Sequence, residues 1–112
     1  NSVEEGIELV KRINHPSVKL LSDLYHVAAE NEPFDHTKSA GGDLAHVHVA
    51  TPGERQLPIP GRDEEVFERF FRALRAAGYQ GRISFEGKWT MDEAARGLET
   101  MRAVWKRVSQ EV

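Results

Sequence analysis

Three segments of the sequence each carry an acid or an imidazole at a position where it could take part in a metal site. Residues 45–50 alternate in character, so a β-strand there places His46 and His48 on one face and apolar side chains on the other. Asp23 and Glu86 stand at the ends of two further apolar segments. Parallel strands that each deliver an acid or an imidazole at the carboxyl end are typical of a metal site at the top of a parallel barrel.

The elements that must position these side chains alternate between helix and strand. Apolar periodicity and capping signals predict helices over 3–13, 25–30, 63–77 and 91–109 and strands over 18–23, 45–50 and 82–86. Residues 31–35 are predicted to form a loop, and 41–42 a break before the histidine strand. This order predicts an α/β fold with parallel strands and right-handed crossovers.

A loop of about a dozen residues, 51–62, follows the histidine strand directly and is rich in proline. Loops of this length are commonly functional or disordered, and its position beside the candidate metal site favours function. Arg55 lies in this loop.

Composition excludes several classes of protein. The chain has 112 residues, enough for at most one domain, and no cysteine, so disulfides and thiolate metal sites are excluded. Its net charge of −3 gives no reason to expect nucleic acid or an anionic membrane as partner. No apolar run approaches the roughly 18–20 residues that span a bilayer. The first residues have neither the basic nor the apolar region of a signal peptide, so we do not expect them to form one. We expect a cytoplasmic enzyme.

Three parallel strands with helices on one face leave the other face of the sheet uncovered. Parallel sheets are normally covered on both faces, so the unit needs the remainder of a barrel or a homo-oligomeric partner. The sequence also opens without an initiator Met and almost directly on a helix. We therefore expect residues 1–112 to be a single partial domain of a longer protein.

Three segments in order resemble the C-terminal portion of the xylose-isomerase-like TIM barrel family, the sugar phosphate isomerases and epimerases. They are VKLLSDLYH at 18–26, HVHVATP at 46–52 followed by Arg55, and GYQGRISFEG at 78–87. The resemblance implies a (β/α)8 barrel with parallel strands and outer helices, of which this chain supplies about three βα units.

The resemblance also implies one divalent metal ion, with Mn²⁺ as first choice and Co²⁺, Mg²⁺ or Zn²⁺ as alternatives. Asp23, His48 and Glu86 match three of the family's metal ligands, and the remaining ligand Glu comes from an earlier strand that has no counterpart here. His26 and Arg55 match residues that bind the sugar substrate.

The implied reaction is isomerisation or epimerisation of a sugar or sugar phosphate. A weakly acidic C–H proton is removed to give a metal-stabilised enediolate, and Glu86 is the catalytic carboxylate that takes or returns the proton.

Each of these residues has a structural alternative. An Asp after a strand commonly caps a turn or helix, as Asp23 would, and Glu86 could be a solvated turn residue. His48 could be a hydrogen-bonded core histidine, and Arg55 an exposed residue of a mobile loop. His46, one pleat deeper than His48, is predicted to be structural.

Two other functions stay open. A barrel endonuclease acting at abasic sites shares the Asp-x-x-His, His and Glu pattern, but the loop over 51–62 lacks the extra Asp-x-His of those zinc enzymes. A non-catalytic fragment that self-associates would cover the polar inner face of the sheet with a second copy.

Overall fold

The computed structural model describes residues 2–111, and over this range it contains three strands and five α-helices. In chain order these are α1 (Val3–Ile13), β1 (Leu20–Asp23), α2 (Leu24–Ala29), α3 (Phe34–Ala40), a 3₁₀ turn (Gly41–Asp43), β2 (Leu44–Val49), α4 (Glu64–Ala76), β3 (Ile83–Phe85) and α5 (Met91–Ser109). The strands form one parallel sheet in the order β1-β2-β3. The predicted α/β order and parallel pairing are confirmed. Nowhere between residues 2 and 111 is there a helix with the length and apolar character needed to cross a membrane.

Helix α3 corrects the sequence prediction, which assigned residues 31–35 to a loop and no regular structure up to residue 42. The helix begins at Phe34, and its sequence FDHTKSA has no apolar period. Thr37 is fully buried on it, and its hydroxyl forms a hydrogen bond of 2.9 Å with the hydroxyl of Ser22 in β1. Because α3 is anchored by a polar pair, hydropathy alone could not reveal it.

One face of the sheet packs against the helices. Val47 and Val49 of β2 are 0% and 1% exposed and belong to one apolar cluster with the aromatic stripe of α4. The fully buried side chains of this core include Leu24, Phe67, Phe70, Phe71, Leu74 and Val104. The aromatic stripe of α4 is therefore part of the core of the fold, and it supports β2 and β3 from behind.

The opposite face of the sheet is accessible. The register pairs Leu21 with His46 and Asp23 with His48, so these side chains share that face. Leu21 is 45% exposed, although it is an apolar residue within β1. This face therefore carries the candidate metal-site residues Asp23 and His48. It is the face that a further part of a barrel would cover.

Glu32, between α2 and α3, caps helix α1 from outside. Its carboxylate accepts hydrogen bonds from the backbone N–H of Val3 at 2.9 Å and of Glu4 at 3.1 Å, and it lies 2.8 Å from His36 Nδ1. Desolvation is the largest influence on its pKa and acts to raise it, but the two backbone donors and His36 together outweigh it. The pKa of Glu32 consequently lies below its ordinary value of 4.5.

We predict that Glu32→Gln lowers the free energy of unfolding at neutral pH by about 1–3 kcal/mol, because the side chain is buried and loses charge-assisted hydrogen bonds. A pKa that is lowered on folding adds stability that is complete above the unfolded value of 4.5 and is lost as the pH falls through the folded value. The difference between the two proteins should therefore shrink in acid.

Urea denaturation at neutral pH and at about pH 3 measures this difference. Glu8→Gln is the matched control, because Glu8 is exposed and pairs with Arg12 one turn along α1. Its effect should stay below about 0.5 kcal/mol. A loss at Glu32 that is equally large in acid would contradict the role of the charge.

Candidate functional site

Strands β1 and β2 bring Asp23 and His48 side by side. The two residues are register partners, and Asp23 Oδ2 lies 3.7 Å from His48 Nδ1. The other oxygen, Oδ1, accepts the backbone N–H of His26 at 3.2 Å, so Asp23 is also the N-cap of α2. The capping role and the position beside His48 are compatible, since each uses a different carboxylate oxygen.

Glu86 enters the same cluster from the end of β3. Its backbone N–H donates to the carbonyl of Val49 at 3.1 Å, which continues the pairing of β2 and β3 by one residue. Glu86 Oε2 lies 2.7 Å from His48 Nδ1, and the Glu86 side chain is 52% exposed. Three strand ends thus bring together Asp23, His48 and Glu86, the residues that the resemblance pairs as metal ligands.

The donor set suits a hard or borderline divalent ion, because it consists of two carboxylates and one imidazole. The geometry, however, directs both carboxylates at the same ring nitrogen of His48. Among residues 2–111 no three His, Cys, Asp or Glu side chains have the arrangement needed to hold a metal ion. The residue types fit a metal, and the side chains are positioned to contact one another.

Arg55 reaches this cluster from the loop over 51–62. Its Nη2 lies 3.4 Å from Glu86 Oε1, and its guanidinium carbon lies 4.7 Å from the centre of the Tyr25 ring. The Arg55 backbone N–H donates to the carbonyl of Thr51 at 2.9 Å, and its carbonyl accepts the N–H of Lys88 at 2.8 Å. Arg55 is therefore placed at the site by contacts of both its backbone and its side chain.

Two further histidines, His26 and His46, lie at the margins of the cluster. His26 is exposed and lines a cleft of about 230 Å³ together with Asp23 and Glu32. His46 packs edge-to-face on His48, with ring centres 5.0 Å apart, one pleat further from the strand end. His26 can therefore be reached from outside, whereas His46 supports the ring of His48 from below.

Tyr25 is the residue at this site that the sequence analysis did not assign. Its ring contacts the guanidinium of Arg55 on one side and meets the ring of His26 edge-on at 5.1 Å. The local signal was its place between Asp23 and His26 in the first turn of α2. The contact with Arg55 spans thirty positions of sequence, and no local pattern encodes such a contact.

Similarity to known proteins agrees with this geometry. D-psicose 3-epimerase of Ruminiclostridium cellulolyticum is 31% identical over 87 residues, which cover 77% of this chain and 29% of that protein. L-ribulose 3-epimerase of Methylomonas sp. is 29% identical over 109 residues, which cover 96% of this chain and 37% of that protein. The crystal structure of D-psicose 3-epimerase with D-tagatose from Clostridium cellulolyticum H10 matches with a TM-score of 0.80 at 25% identity, over 94% of this chain and 44% of that one.

The chain thus spans roughly a third of the length of these two curated relatives, 29% and 37%. Its three parallel strands and their helices correspond to part of a closed barrel. The family model described as xylose isomerase-like TIM barrel matches residues 1–104. On this match, and on the barrel-type arrangement of its strands, the chain belongs to the xylose isomerase-like TIM barrel family.

Proposed function

We propose that this chain forms part of a sugar isomerase or epimerase that moves a proton at a carbon beside a ketose carbonyl. The observation that carries the proposal is the convergence of Asp23, His48 and Glu86 at one end of the sheet. The names of several relatives, which are ketose, psicose or ribulose 3-epimerases, support the substrate class.

Asp23, His48 and Glu86 would hold a divalent metal ion, with Mn²⁺ as first choice, through two carboxylates and one imidazole. Such an ion supplies Lewis-acid polarisation of substrate oxygens when it is bound. In the family a further carboxylate ligand stands on an earlier strand, so we propose that the remainder of the barrel, or a second copy of the chain, completes the site. Residues 1–112 are accordingly proposed to be a single partial domain.

Glu86 is the group that we propose as the acid and base. Its carboxylate is accessible, and its two oxygens are oriented separately, Oε1 toward Arg55 and Oε2 toward His48. A carboxylate oriented in this way can take a proton from, or give one to, one face of a bound ketose. Inversion at that carbon also needs an acid on the opposite face, which the remainder of the barrel or a second copy of the chain would supply. Arg55 and His26 would orient the sugar hydroxyls by donating hydrogen bonds.

Exchange of the substrate C–H proton with D₂O tests this function directly. The full chain is incubated with Mn²⁺ and D-psicose in D₂O, and after removal of protein and metal the sugar is examined by NMR for deuterium at C3 and for D-fructose. We expect deuterium at C3 with the wild-type chain, and D-fructose where a second copy of the chain completes the site. With Glu86→Gln we expect a loss of the exchange rate of at least about 100-fold, since the amide cannot accept the proton.

Glu54→Gln is the matched control for this assay, because Glu54 lies in the same loop as Arg55 but pairs with Arg62 at 2.6 Å. Its rate should match that of the wild type. Equal exchange by the wild-type and Glu86→Gln chains would contradict proton transfer by Glu86. A wild-type chain that exchanges no proton would show that residues 1–112 alone are not a catalyst.

A further inference from the structure

The backbone of Arg55 adopts a conformation that arginine rarely takes. Its φ is 56°, and the other non-glycine residues with positive φ between residues 2 and 111 are Asn14 and Asn31. Asparagine tolerates the left-handed region through local hydrogen bonds, whereas a long side chain gains no such relief. A residue held in this way persists only where its surroundings fix it, and such positions concentrate at functional sites.

Two hydrogen bonds fix the Arg55 backbone. Its N–H is bonded to the carbonyl of Thr51 at 2.9 Å, and its carbonyl accepts the N–H of Lys88 at 2.8 Å. Gln56 pairs with Lys88 in an isolated parallel bridge. A Cβ atom on Gly87 would overlap the Arg55 carbonyl oxygen, so the close approach of these two segments requires glycine at that position. The loop is thereby joined to the residues that follow Glu86.

Two further contacts orient the Arg55 side chain. Its guanidinium carbon lies 4.7 Å from the centre of the Tyr25 ring, and its Nη2 lies 3.4 Å from Glu86 Oε1. A planar guanidinium on an aromatic ring gains cation–π attraction and loses freedom to rotate about its stem. The side chain remains 35% exposed, so N–H donors that do not contact Glu86 can reach a molecule bound at the site.

We propose that Tyr25 is a positioning residue for Arg55. Its ring fixes the plane of the guanidinium, so that one edge engages Glu86 and the other donors are presented to a ketose hydroxyl. Tyr25 can do this because it lies two residues after Asp23 in the first turn of α2, the helix that Asp23 caps. The assignment of a sugar hydroxyl as the group that Arg55 binds rests on the proposed function, whereas the orientation of Arg55 by Tyr25 does not.

NMR of the full chain without metal, carrying ¹³C,¹⁵N-labelled arginine, tests the orientation. The Arg55 signals are assigned by their absence in Arg55→Lys. We expect an upfield ring-current shift of the Arg55 side-chain protons that Tyr25→Leu abolishes and Tyr25→Phe retains. The Arg62 signals are the internal control, because Arg62 lies in the same loop and is paired with Asp63 and Glu54. An Arg55 shift that survives Tyr25→Leu would overturn the proposal.

A double-mutant cycle with Tyr25→Leu and Arg55→Met gives an independent measurement. The coupling should be about two- to five-fold in the unfolding equilibrium constant, the range found for exposed cation–π pairs. Additive effects of the two substitutions would overturn the contact. If Tyr25→Leu unfolds the chain, Tyr25→Met takes its place in the cycle, because methionine is a long apolar side chain without a ring face.

Ketose kinetics distinguish positioning from a general structural role. With D-psicose and Mn²⁺, Tyr25→Leu should raise KM about five- to ten-fold with little change in kcat, and Tyr25→Phe should retain the wild-type KM. An unchanged KM in Tyr25→Leu would overturn the link to substrate. If the wild-type chain turns over no ketose, the proposed function fails for this chain, and the NMR comparison and the double-mutant cycle decide the role of Tyr25 alone.

Discussion

Replacing His48 with Ala should abolish saturable binding of Mn²⁺ to this chain. His48 Nδ1 is the atom that contacts both carboxylates of the cluster, at 3.7 Å to Asp23 and 2.7 Å to Glu86. Without the imidazole, the two carboxylates lose the group that both of them contact. Substitution of a residue that supports a metal ligand without binding the metal typically costs about 10–100-fold in metal affinity. Loss of a proposed ligand itself should cost more.

Isothermal titration calorimetry with Mn²⁺ measures this effect, with circular dichroism recorded on every variant to exclude unfolding. His15→Ala should bind as the wild type does, because His15 is exposed beyond the end of α1 and contacts the backbone N–H of Ser17. His46→Ala should reduce affinity by about 10-fold, a smaller loss than in His48→Ala, since its ring packs on that of His48. Equal losses in the His48 and His46 variants would contradict the assignment of ligands.

The strand ends and their polar residues could be predicted from the sequence because the information is local. Alternation around His46 and His48 fixes which face each side chain occupies, and a parallel sheet then aligns neighbouring carboxyl ends. The register of Asp23 with His48 follows from that alignment. The capping box of α5 at Thr90 and Glu93 is likewise a short-range signal, and the structure contains both of its hydrogen bonds.

The contacts that complete the site could not be predicted, because they join distant and polar residues. Tyr25 meets Arg55 across thirty positions, and Glu32 caps α1 across twenty-nine. Neither pair leaves a hydrophobic period in the sequence, and Glu32 falls in the stretch that was predicted to be a loop. Helix α3 was missed for the same reason, since its buried Thr37 is satisfied by a hydroxyl on β1.

One face of the sheet contributes to stability, and the other carries the candidate site. The face toward the helices carries the apolar cluster, whereas the face that carries His48 and Leu21 stays accessible. The helical face must therefore supply most of the hydrophobic stabilisation of these residues. It follows that a single cavity in the cluster behind β2 should disturb the site as well as the fold.

Phe70→Ala should accordingly lower the free energy of unfolding by about 3–5 kcal/mol. Phe70 is fully buried on α4 and meets Phe34 of α3 edge-on at 5.4 Å, so its removal leaves a cavity where two helices meet. Single domains of this size are stable by about 5–15 kcal/mol in total. The substitution thus removes a large share of the stability available to a chain that buries one face of its sheet.

Urea denaturation followed by circular dichroism gives the size of this loss. Met91→Ala is the control, because Met91 is 80% exposed at the start of α5, and its effect should stay within about 0.5 kcal/mol. Helix α4 leads through residues 77–82 into β3, and β3 delivers Glu86 to His48. Mn²⁺ binding by Phe70→Ala should therefore fall at a lower urea concentration than in the wild type, together with the loss of helix. Binding that outlasts the helix signal would show that the cluster does not depend on the core behind it.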